Sequence, residues 1–475
     1  MTHYPADPLR QLGPCDVLHG DALHLPIDDE TVDLVVTSPP YFALRSYTDG
    51  GEHYNGQIGS EPTPAEFIES LIAATREMVR VLKPSGSIWV NLGDKYSGAQ
   101  AQNFNGVSRA GESAKTGAQT DPRRTGIPNK SLMGLPWRYA LRCIDELGLI
   151  LRAEVVWSKP NGLPESVTDR VRRSHETWFH LTKQPRYYSA VDEIRDGYAP
   201  GTAARYRSGY NPEDEAYAAG GPTKNGPARH DGGGPAAVNP LGKLPGSVRE
   251  VPSQPLKVPD HLGVDHFAAF PVAWPLWIIQ GWSPPGVCTE CGKGRRPDVL
   301  AERPGTGQMW NAAGRGVVDQ VRRMHEERTH RRLIGYVCAC TPYTDHPDRR
   351  GKDFHADTDA TRGMNDGNGG ERYRRYVEEL ANPRGPVREY HFDQWTPAPT
   401  TPAVVVDPFG GTGTTALAAR ALDRHGISVD LSRDYCRLAE WRVTDPGELA
   451  RTRGVEKPPP VDDRQVSLFD EEAAS

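Results

Sequence analysis

The sequence predicts an α/β fold with a mostly parallel central sheet that is interrupted by loop-rich inserts. Two strand–turn–helix patterns, at opposite ends of the 475-residue chain, carry this prediction. The apolar run at 32–36 ends at two prolines, and an amphipathic helix and a further strand follow it. The apolar run at 404–407 enters a glycine-rich turn before another helix. Strands that alternate with helices favour parallel pairing through right-handed crossovers.

The composition indicates a globular chain with long loops. Hydrophobic residues make up 37% and charged residues 25%, whereas the 49 glycines and 43 prolines exceed average usage. The net charge of −6 excludes a uniformly basic surface, although a local basic face is enough to bind nucleic acid. The chain has no run of about 18 apolar residues and no signal-peptide pattern. We therefore expect a cytoplasmic protein without a membrane span.

The first strand ends at the run Thr37-Ser38-Pro39-Pro40-Tyr41. Two successive prolines cannot continue a central strand, because each lacks an N–H and has a fixed φ. The backbone therefore leaves the sheet stiffly at its carboxyl end, where open α/β sheets place their ligands. A rigid carbonyl, a hydroxyl and an aromatic face suit a flat ring that bears an amino group. An ordinary strand-ending turn explains these residues equally well.

Helix and strand signals place the other elements. The run Thr63-Pro64-Ala65-Glu66 is typical of a helix start, with an N-cap, a proline at N1 and a capping box. Apolar residues at helical spacing continue to Leu82, and the run Pro84-Ser85-Gly86 ends that helix. We predict further strands at 15–18, 87–92, 151–157, 176–181 and 426–430, and further helices at 137–147, 270–279, 416–422 and 433–443.

Three segments lack a regular pattern. Residues 97–130 are polar and glycine-rich, which predicts a mobile loop. Residues 196–254 mix tyrosines with arginines and glycines, a composition that suits base stacking and phosphate contact and equally suits an ordinary disordered insert. The segment after Lys457 is proline-rich and then acidic, which predicts a disordered tail.

The glycine-rich turn at 408–415 admits more than one ligand. A phosphate P-loop is excluded, because Pro408 stands where the first glycine belongs and Thr414 replaces the lysine. Residues 411–416 fit the dinucleotide pattern G-x-G-x-x-A, and Asp430 ends the next strand at about the right distance. S-adenosylmethionine fits as well, with Asp430 on the ribose hydroxyls. The turn alone does not decide between these two adenosine ligands.

Considered together, residues 37–41 and 407–413 resemble the amino-group DNA methyltransferases, whose signature is [S/N/D]-P-P-[Y/F] with a D-x-F-x-G-x-G loop. The order of the motifs, catalytic first and cofactor loop last, resembles the circularly arranged β group. The resemblance covers roughly 13–190 and 265–445, including His19-Gly20-Asp21 and Trp157-Ser158-Lys159-Pro160. It implies a Rossmann-like, S-adenosylmethionine-dependent enzyme that methylates cytosine N4 or adenine N6.

The resemblance also implies roles for individual residues. The Ser38 side chain and the Pro39 carbonyl would accept the N–H groups of the target amine, and Tyr41 would stack on a base flipped out of duplex DNA. With Pro40 these residues form the expected catalytic set. The expected donor-binding residues are Asp21, Phe270, Pro271, Asp407, Phe409, Gly410, Gly411, Gly413, Thr414 and Asp430.

For three of the donor-binding residues a structural role competes with ligand contact. Asp21, expected at the adenine end of the donor, is also a typical turn-forming residue. Asp407 would orient the glycine-rich turn by accepting its N–H groups. Phe270, which with Pro271 would close over the methionine end, would equally pack in the core.

The target base and the partners follow from the same resemblance. Ser38 favours cytosine N4 over adenine N6, because Asp is commoner at this position among the adenine enzymes, and both bases stay open. The expected partners are double-stranded DNA and, as a candidate, a cognate restriction endonuclease.

Other function classes fit the sequence less well. An RNA or protein-glutamine methyltransferase is less favoured, since the inserts are basic and aromatic and the motif order matches DNA enzymes. A non-catalytic DNA- or zinc-binding module conflicts with the intact motifs at 38–41 and 410–413. A nicotinamide dehydrogenase leaves residues 38–41 unexplained.

Four cysteines form two close pairs that suggest structural zinc. Cys288 and Cys291, and Cys338 and Cys340, would offer four thiolates for tetrahedral coordination. The second spacing is one residue shorter than usual, so reduced, unliganded cysteines remain the alternative.

The motifs and the breaks between them predict six segments along the chain. They are a catalytic half at 13–190, a target-recognition or loop insert at 191–265, a return helix at 266–284, a Cys- and Arg-rich insert at 285–400, a cofactor-binding half at 401–445 and a disordered tail at 446–475.

Overall fold

The computed structural model describes residues 13–44, 57–98, 120–162, 164–198, 242–256, 258–259, 262–263, 269–302, 330–337 and 399–456, and two short strands at 48–49 and 52–53. These residues fall into two compact units. The first unit comprises the residues up to Ile194, Leu244–Val287 and those from Pro402 onward, and the second comprises the described parts of Arg195–Lys243 and Cys288–Thr401.

The described residues contain fourteen strands. They are β1 Cys15–His19, β2 Val32–Thr37, β3 Thr48–Asp49, β4 Glu52–His53, β5 Leu82–Leu92, β6 Ile150–Ser158, β7 His175–Thr182, β8 Val248–Glu250, β9 Val287–Cys288, β10 Arg296–Glu302, β11 His330–Val337, β12 Thr400–Thr401, β13 Val404–Asp407 and β14 His425–Asp430.

The described residues also contain seven α-helices. They are α1 Pro64–Val81, α2 Pro122–Thr125, α3 Leu135–Asp145, α4 Ala273–Trp282, α5 Thr414–Ala421, α6 Arg433–Thr444 and α7 Pro446–Arg453. None of these described helices is long and apolar enough to cross a membrane.

Eight strands of the first unit form one sheet in the order β1-β14-β13-β2-β5-β7-β6-β8. The pairs from β1 to β5 are parallel, and β7 runs antiparallel to both of its neighbours. The mostly parallel α/β sheet predicted from the sequence is thereby confirmed. Strand β13 lies between β14 and β2, with Val406 opposite Val35. Since parallel strands end at the same edge, this pairing brings the turns after β2 and β13 together.

Helices cover both faces of the sheet. On one face α1 and α3 bury a core that includes Phe67, Leu71 and Tyr139. On the other face α4 and α5 pack over a tryptophan-rich core. His180 lies in that core, stacked on Trp89 with ring centroids 4.5 Å apart. Burial lowers the pKa of His180 to about 3, so its imidazole is neutral at physiological pH.

The start of α1 agrees with its sequence signal. The Thr63 hydroxyl accepts the N–H of Glu66 at 3.3 Å and donates to the Glu66 carboxylate at 2.9 Å. The helix ends at Val81, because Leu82 already has extended dihedral angles and Pro84 has no N–H to continue the helix. Strand β5 consequently begins five residues earlier than its predicted start at Ser87.

Other boundaries differ from the predictions by a few residues. Helix α3 begins two residues early, after Gly134 in a left-handed conformation, and α4 begins three residues late, after a turn in which Trp274 donates to the Pro271 carbonyl. The segment predicted as an insert at 191–265 contributes β8, which pairs with β6.

The first part of the predicted disordered tail at 446–475 is a helix, α7. Asp445 caps helix α7 by accepting the N–H of Glu448 at 2.8 Å, and the Leu449 side chain is buried. A two-turn helix is too short for its apolar periodicity to be recognised in the sequence. Of the predicted mobile loop at 97–130, residues 99–119 lie outside the described residues, as do 199–241 and 457–475.

The second unit is described only in part. Strands β10 and β11 pair antiparallel, with an irregular register after Asp298. Thr289 donates its N–H to the Pro399 carbonyl at 3.0 Å.

Candidate active site

A cleft lies at the carboxyl ends of β1, β2, β13 and β14. It holds about 950 Å³ of empty space, part of it open solvent. The lining residues are Gly20, Asp21, Ala22, Ser38, Pro40, Gln57, Ile58, Ala269, Phe270, Pro408, Phe409, Gly410, Gly411, Thr412, Thr414, Asp430, Leu431 and Tyr435.

The glycine-rich turn after β13 forms one wall of the cleft. The Gly410 N–H donates to the Val429 carbonyl at 2.8 Å, and the Gly413 N–H donates to the Gly410 carbonyl at 2.8 Å. A Cβ at Gly410 would lie 1.9 Å from the Ser428 hydroxyl, so only glycine fits against β14. Helix α5 begins directly afterwards at Thr414, and its first N–H groups lie beside the cleft.

The Asp430 carboxylate fixes the opposite side of this turn. One oxygen accepts the N–H of Gly411 at 2.8 Å, and the other accepts the N–H of Ser432 at 2.8 Å. Asp430 also lines the cleft, so its carboxylate, an acceptor of hydroxyl protons, faces a ligand bound there.

Asp407 joins the turns that follow β2 and β13. Its buried carboxylate accepts the Thr37 hydroxyl at 2.6 Å, the Phe409 N–H at 3.1 Å and the Thr415 hydroxyl at 2.9 Å. Burial raises the pKa of Asp407 to about 6, although the Thr37 hydrogen bond acts in the opposite direction.

The glycine-rich turn is also supported from behind by Arg442 of α6. The Arg442 guanidinium donates to the hydroxyls of Thr412 at 2.8 Å and Thr414 at 2.7 Å. It also pairs with Glu448 of α7 at 3.3 Å, and Glu448 in turn accepts Arg451. Sequence reasoning missed this support, because helix α7 itself was missed.

The turn after β2 is tied to β5 and β7 by side-chain hydrogen bonds. Ser38 donates its hydroxyl proton to the Asn91 amide oxygen at 3.3 Å. The Tyr41 hydroxyl lies 2.7 Å from the same oxygen and 2.8 Å from the Glu176 carboxylate. The Lys159 ammonium pairs with the other oxygen of Glu176.

Tyr41 is packed as well as hydrogen-bonded. A Cβ at Gly93 would lie 2.6 Å from the Tyr41 ring, so the ring rests directly against the backbone after β5. Burial, followed by the nearby Glu176 charge, raises the pKa of Tyr41 well above its usual value. The phenol therefore stays protonated over the physiological range.

Comparison with known proteins identifies the family. The model of the N6/N4 DNA methylase family matches residues 32–288 and 400–441, more than half of the chain. The chain belongs to this family of DNA amino-methyltransferases. The match includes both the turn after β2 and the glycine-rich turn, so the motif order predicted from the sequence is confirmed.

Two curated relatives of this family align with part of the chain. Type II methyltransferase M.SmaI of Serratia marcescens is 38% identical over 185 residues, which are 38% of this chain and 60% of the relative. Type II methyltransferase M.Cfr9I of Citrobacter freundii is 34% identical over 215 residues, 45% of this chain and 69% of the relative. The chain thus matches between 60% and 69% of the length of these two relatives.

A solved structure of the family gives a weaker likeness. The cytosine-N4-specific PvuII DNA methyltransferase matches with a TM-score of 0.44 and 14% identity, over 94% of this chain and 95% of that one.

Most of the site residues that were predicted from the methyltransferase resemblance line the cleft. Of the catalytic set, Ser38 and Pro40 line it, while Pro39 and Tyr41 are not among its lining residues. Of the donor-binding set, the residues in the lining are Asp21, Phe270, Phe409, Gly410, Gly411, Thr414 and Asp430, and those outside it are Pro271, Asp407 and Gly413.

The competing structural roles are also visible. Asp21 accepts the N–H of Leu23 at 2.9 Å in a turn, and it still faces the cleft. Phe270 contacts the Trp178 ring edge-on, at 5.6 Å between centroids, and lines the cleft on its other side. Asp407 is not among the lining residues, and its carboxylate accepts the Phe409 N–H together with the hydroxyls of Thr37 and Thr415.

The predicted zinc ligands are described only in part. Cys288 accepts the N–H of Gly292 at 2.9 Å and donates its own to Lys293 at 3.0 Å, a tight turn around Cys291. Cys338 and Cys340 lie outside the described residues. Within the described ranges, no group of three or more His, Cys, Asp or Glu residues could hold a metal.

Proposed function

We propose that this chain transfers the methyl group of S-adenosylmethionine to the exocyclic amine of a base flipped out of duplex DNA. The observation that carries the proposal is a single cleft lined by Ser38 and Pro40 on one side and by residues 408–412 on the other. An acceptor for an amine and a backbone wall for an adenosine ligand therefore face the same space.

The cleft residues fit S-adenosylmethionine. Its sulfonium makes the attached methyl carbon electrophilic when the donor is bound. The absent side chain at Gly410 lets the turn lie directly against β14, and Asp430 lines the cleft, where its carboxylate would accept the ribose hydroxyls. Phe270 and Phe409 supply apolar walls, and Asp21 supplies a carboxylate for the adenine amine.

Ser38 would act on the target amine. Because its hydroxyl proton is directed to Asn91, its oxygen lone pairs remain for an N–H of the base. With the rigid Pro39 carbonyl, Ser38 would accept both protons of the amine and favour a tetrahedral nitrogen whose lone pair faces the methyl group. Such positioning with fixed dipoles supplies most of the rate in reactions of this kind.

The preferred target is cytosine N4, and adenine N6 is the second candidate. The preference follows from Ser38, since the family resemblance associates Asp with adenine at this position. The base must leave the stack to reach the cleft, and Tyr41 would stack against it.

The substrate and partner assignments are drawn from the relatives. The curated relatives are named Type II methyltransferases, which favours duplex DNA as the substrate and a cognate restriction endonuclease as a separate partner. Within the chain we assign target recognition to 191–265.

Structural zinc on Cys288, Cys291, Cys338 and Cys340 stays a prediction. Metal analysis of the folded protein should find about one zinc per chain, because four thiolates complete one tetrahedral site. Release of zinc should follow Cys288→Ser. A well-folded preparation without zinc would contradict the assignment.

The test of the activity is label transfer. The full chain is incubated with S-adenosylmethionine tritiated on its methyl group and with duplex DNA, and the DNA is digested to nucleosides. We expect label in N4-methylcytosine. Label in N6-methyladenine would reverse the base preference, and unlabelled DNA of diverse sequence would contradict the proposed function.

A further inference from the structure

The network beside Ser38 contains a carboxylate that has no role in the proposed reaction. Glu176, at the start of β7, lies 2.8 Å from the Tyr41 hydroxyl and pairs with Lys159 through its other oxygen. Its side chain is only 16% exposed and that of Lys159 22%, so the pair is largely shielded from water. Lys159 also lies over the Trp157 ring, 4.1 Å from its centroid, which limits its movement.

The network has fewer protons than contacts. The oxygen–oxygen contacts of the network, which include Ser38 to Asn91, Tyr41 to Asn91 and Tyr41 to Glu176, outnumber the two hydroxyl protons that they share. The Asn91 amide nitrogen donates to the Thr177 carbonyl at 3.2 Å, which orients the amide oxygen toward Ser38 and Tyr41. An amide oxygen and a carboxylate accept but do not donate. Both hydroxyls must therefore donate into the network.

The carboxylate decides how the two protons are distributed. A charged acceptor forms a stronger hydrogen bond than a neutral one, so the Tyr41 proton goes preferentially to Glu176. The Asn91 oxygen is then left for the Ser38 proton. This arrangement is what leaves the Ser38 lone pairs to the cleft.

We propose that Glu176, held by Lys159, is a positioning residue that takes the Tyr41 proton and so keeps Ser38 an acceptor for the target amine. The inference rests on the proposed function and concerns the same site. Glu176 would not touch the base or the donor, and it would act entirely through the Tyr41 hydroxyl.

The variant Glu176→Gln preserves the shape of the side chain but presents a donor, in place of an acceptor, to the Tyr41 hydroxyl. Its amide oxygen would stay with the Lys159 ammonium, which turns the amide nitrogen to Tyr41. Tyr41 would then donate to Asn91 and compete with Ser38 for that oxygen. The Ser38 proton would be free to face the target amine, which also presents protons, and the hydrogen bond to the amine would be lost.

The test is a double-mutant cycle on methyl transfer. We expect Glu176→Gln to lower kcat at least about tenfold, as for loss of one charge-assisted hydrogen bond, with KM for DNA and the Kd of S-adenosylmethionine within about twofold. In a Tyr41→Phe background the same substitution should change kcat less than about twofold, because the hydroxyl through which it acts is absent. Unchanged donor binding also shows that the variant is folded.

A matched control lies on the connection between β6 and β7. Glu165 pairs with Arg170 at 2.6 Å and accepts the Arg173 N–H at 3.3 Å, and among the described contacts it has no hydrogen bond to Ser38, Tyr41 or Asn91. Glu165→Gln therefore makes the same chemical change without removing a hydrogen bond of the network. Its kcat should equal that of the parent. A parental kcat in Glu176→Gln, or an equal loss in the Tyr41→Phe background, would overturn the inference. If the parent itself transfers no label to DNA, the proposed function fails instead.

Discussion

At the residue scale, Asp407 explains how two motifs about 370 positions apart become one site. Its carboxylate accepts one hydroxyl from the turn after β2 and an N–H and a hydroxyl from the glycine-rich turn. A buried carboxyl with three hydrogen-bond donors is a structural link between the turns. The raised pKa of about 6 shows that, even with these donors, burial disfavours the charged form.

The variant Asp407→Asn tests this role through pH. The carboxyl is neutral in both folded and unfolded chains below pH about 4, and its contribution to stability is then fully present. As pH rises through about 6, the folded chain must ionise a buried group and that contribution is lost. The amide has no such cost, and its nitrogen can donate to Thr415, which can donate onward to the Val36 carbonyl.

We therefore expect the variant to gain stability relative to the parent as pH rises from 4 to 8. The gain should approach roughly 3 kcal/mol, at about 1.4 kcal/mol for each pKa unit. Urea unfolding at several pH values measures it. If the difference in unfolding free energy between the two proteins did not change with pH, this result would contradict a raised pKa of the buried Asp407 carboxyl.

Single residues also show which parts of the site could be predicted from the sequence. Ser38, Asp430 and the glycines were found because each directly follows a strand, and strand ends can be read from hydrophobic pattern. Asn91 and Glu176 were missed as site residues. Their roles depend on β5 and β7 being neighbours, which no local pattern encodes.

At the element scale, helices α6 and α7 hold the glycine-rich turn in place. Arg442 reaches from α6 to Thr412 and Thr414, and Glu448 of α7 neutralises its buried charge. The pKa of Arg442 is lowered by burial, with Glu448 acting against the shift. Helices that follow the turn in the chain therefore help to support it.

Replacing Arg442 by lysine should weaken donor binding. A lysine keeps the charge, but it lacks the planar set of donors that reaches both threonines and Glu448 at once. We expect the Kd of S-adenosylmethionine to rise about tenfold, as for the loss of one or two hydrogen bonds to a charged group. Calorimetric titration measures the change. The control is Arg437→Lys, on the same helix in an exposed pair with Asp434; equal affinities in both variants would contradict the role of Arg442.

The capping box of α1 gives a prediction about stability alone. Thr63→Ala removes the acceptor of the Glu66 N–H and should cost about 1 kcal/mol, whereas Thr63→Ser should retain most of the parental stability. Chemical denaturation compares the three proteins. Because Thr63 lies outside the cleft lining, methyl transfer at a temperature where all three are folded should be unaffected. An alanine variant as stable as the serine variant would show that the cap contributes nothing.

Element boundaries show the limits of local signals. The start of α1 was predicted to the residue, because the N-cap, proline and glutamate act within one turn. The end of α1 and the start of β5 were displaced, since the pairing of Leu82 with Val32 extends the strand beyond what apolar pattern indicates. Short β8 and two-turn α7 were missed because packing, not periodicity, stabilises them.

At the scale of the whole molecule, sheet order creates the site. Strand β13 enters between β14 and β2, so the carboxyl-terminal part of the chain places its glycine-rich turn beside the turn that begins at Ser38. The sequence predicted that both turns end strands of one sheet. Their adjacency came from the family resemblance, because strand order is a property of long-range pairing.

In the proposed reaction, one side of this cleft acts on the amine and the other side binds the donor. The most direct measurement compares Ser38→Ala and Asp430→Ala, in the full chain, by donor Kd and by single-turnover methyl transfer at saturating donor. We predict that Ser38→Ala binds S-adenosylmethionine with parental affinity and loses at least about 100-fold in transfer rate, as for removal of a key polar group. Asp430→Ala should weaken donor binding and keep most of the rate once saturated. The opposite pattern, weakened donor binding in Ser38→Ala with a parental transfer rate, would contradict the assignment of Ser38 to the target amine.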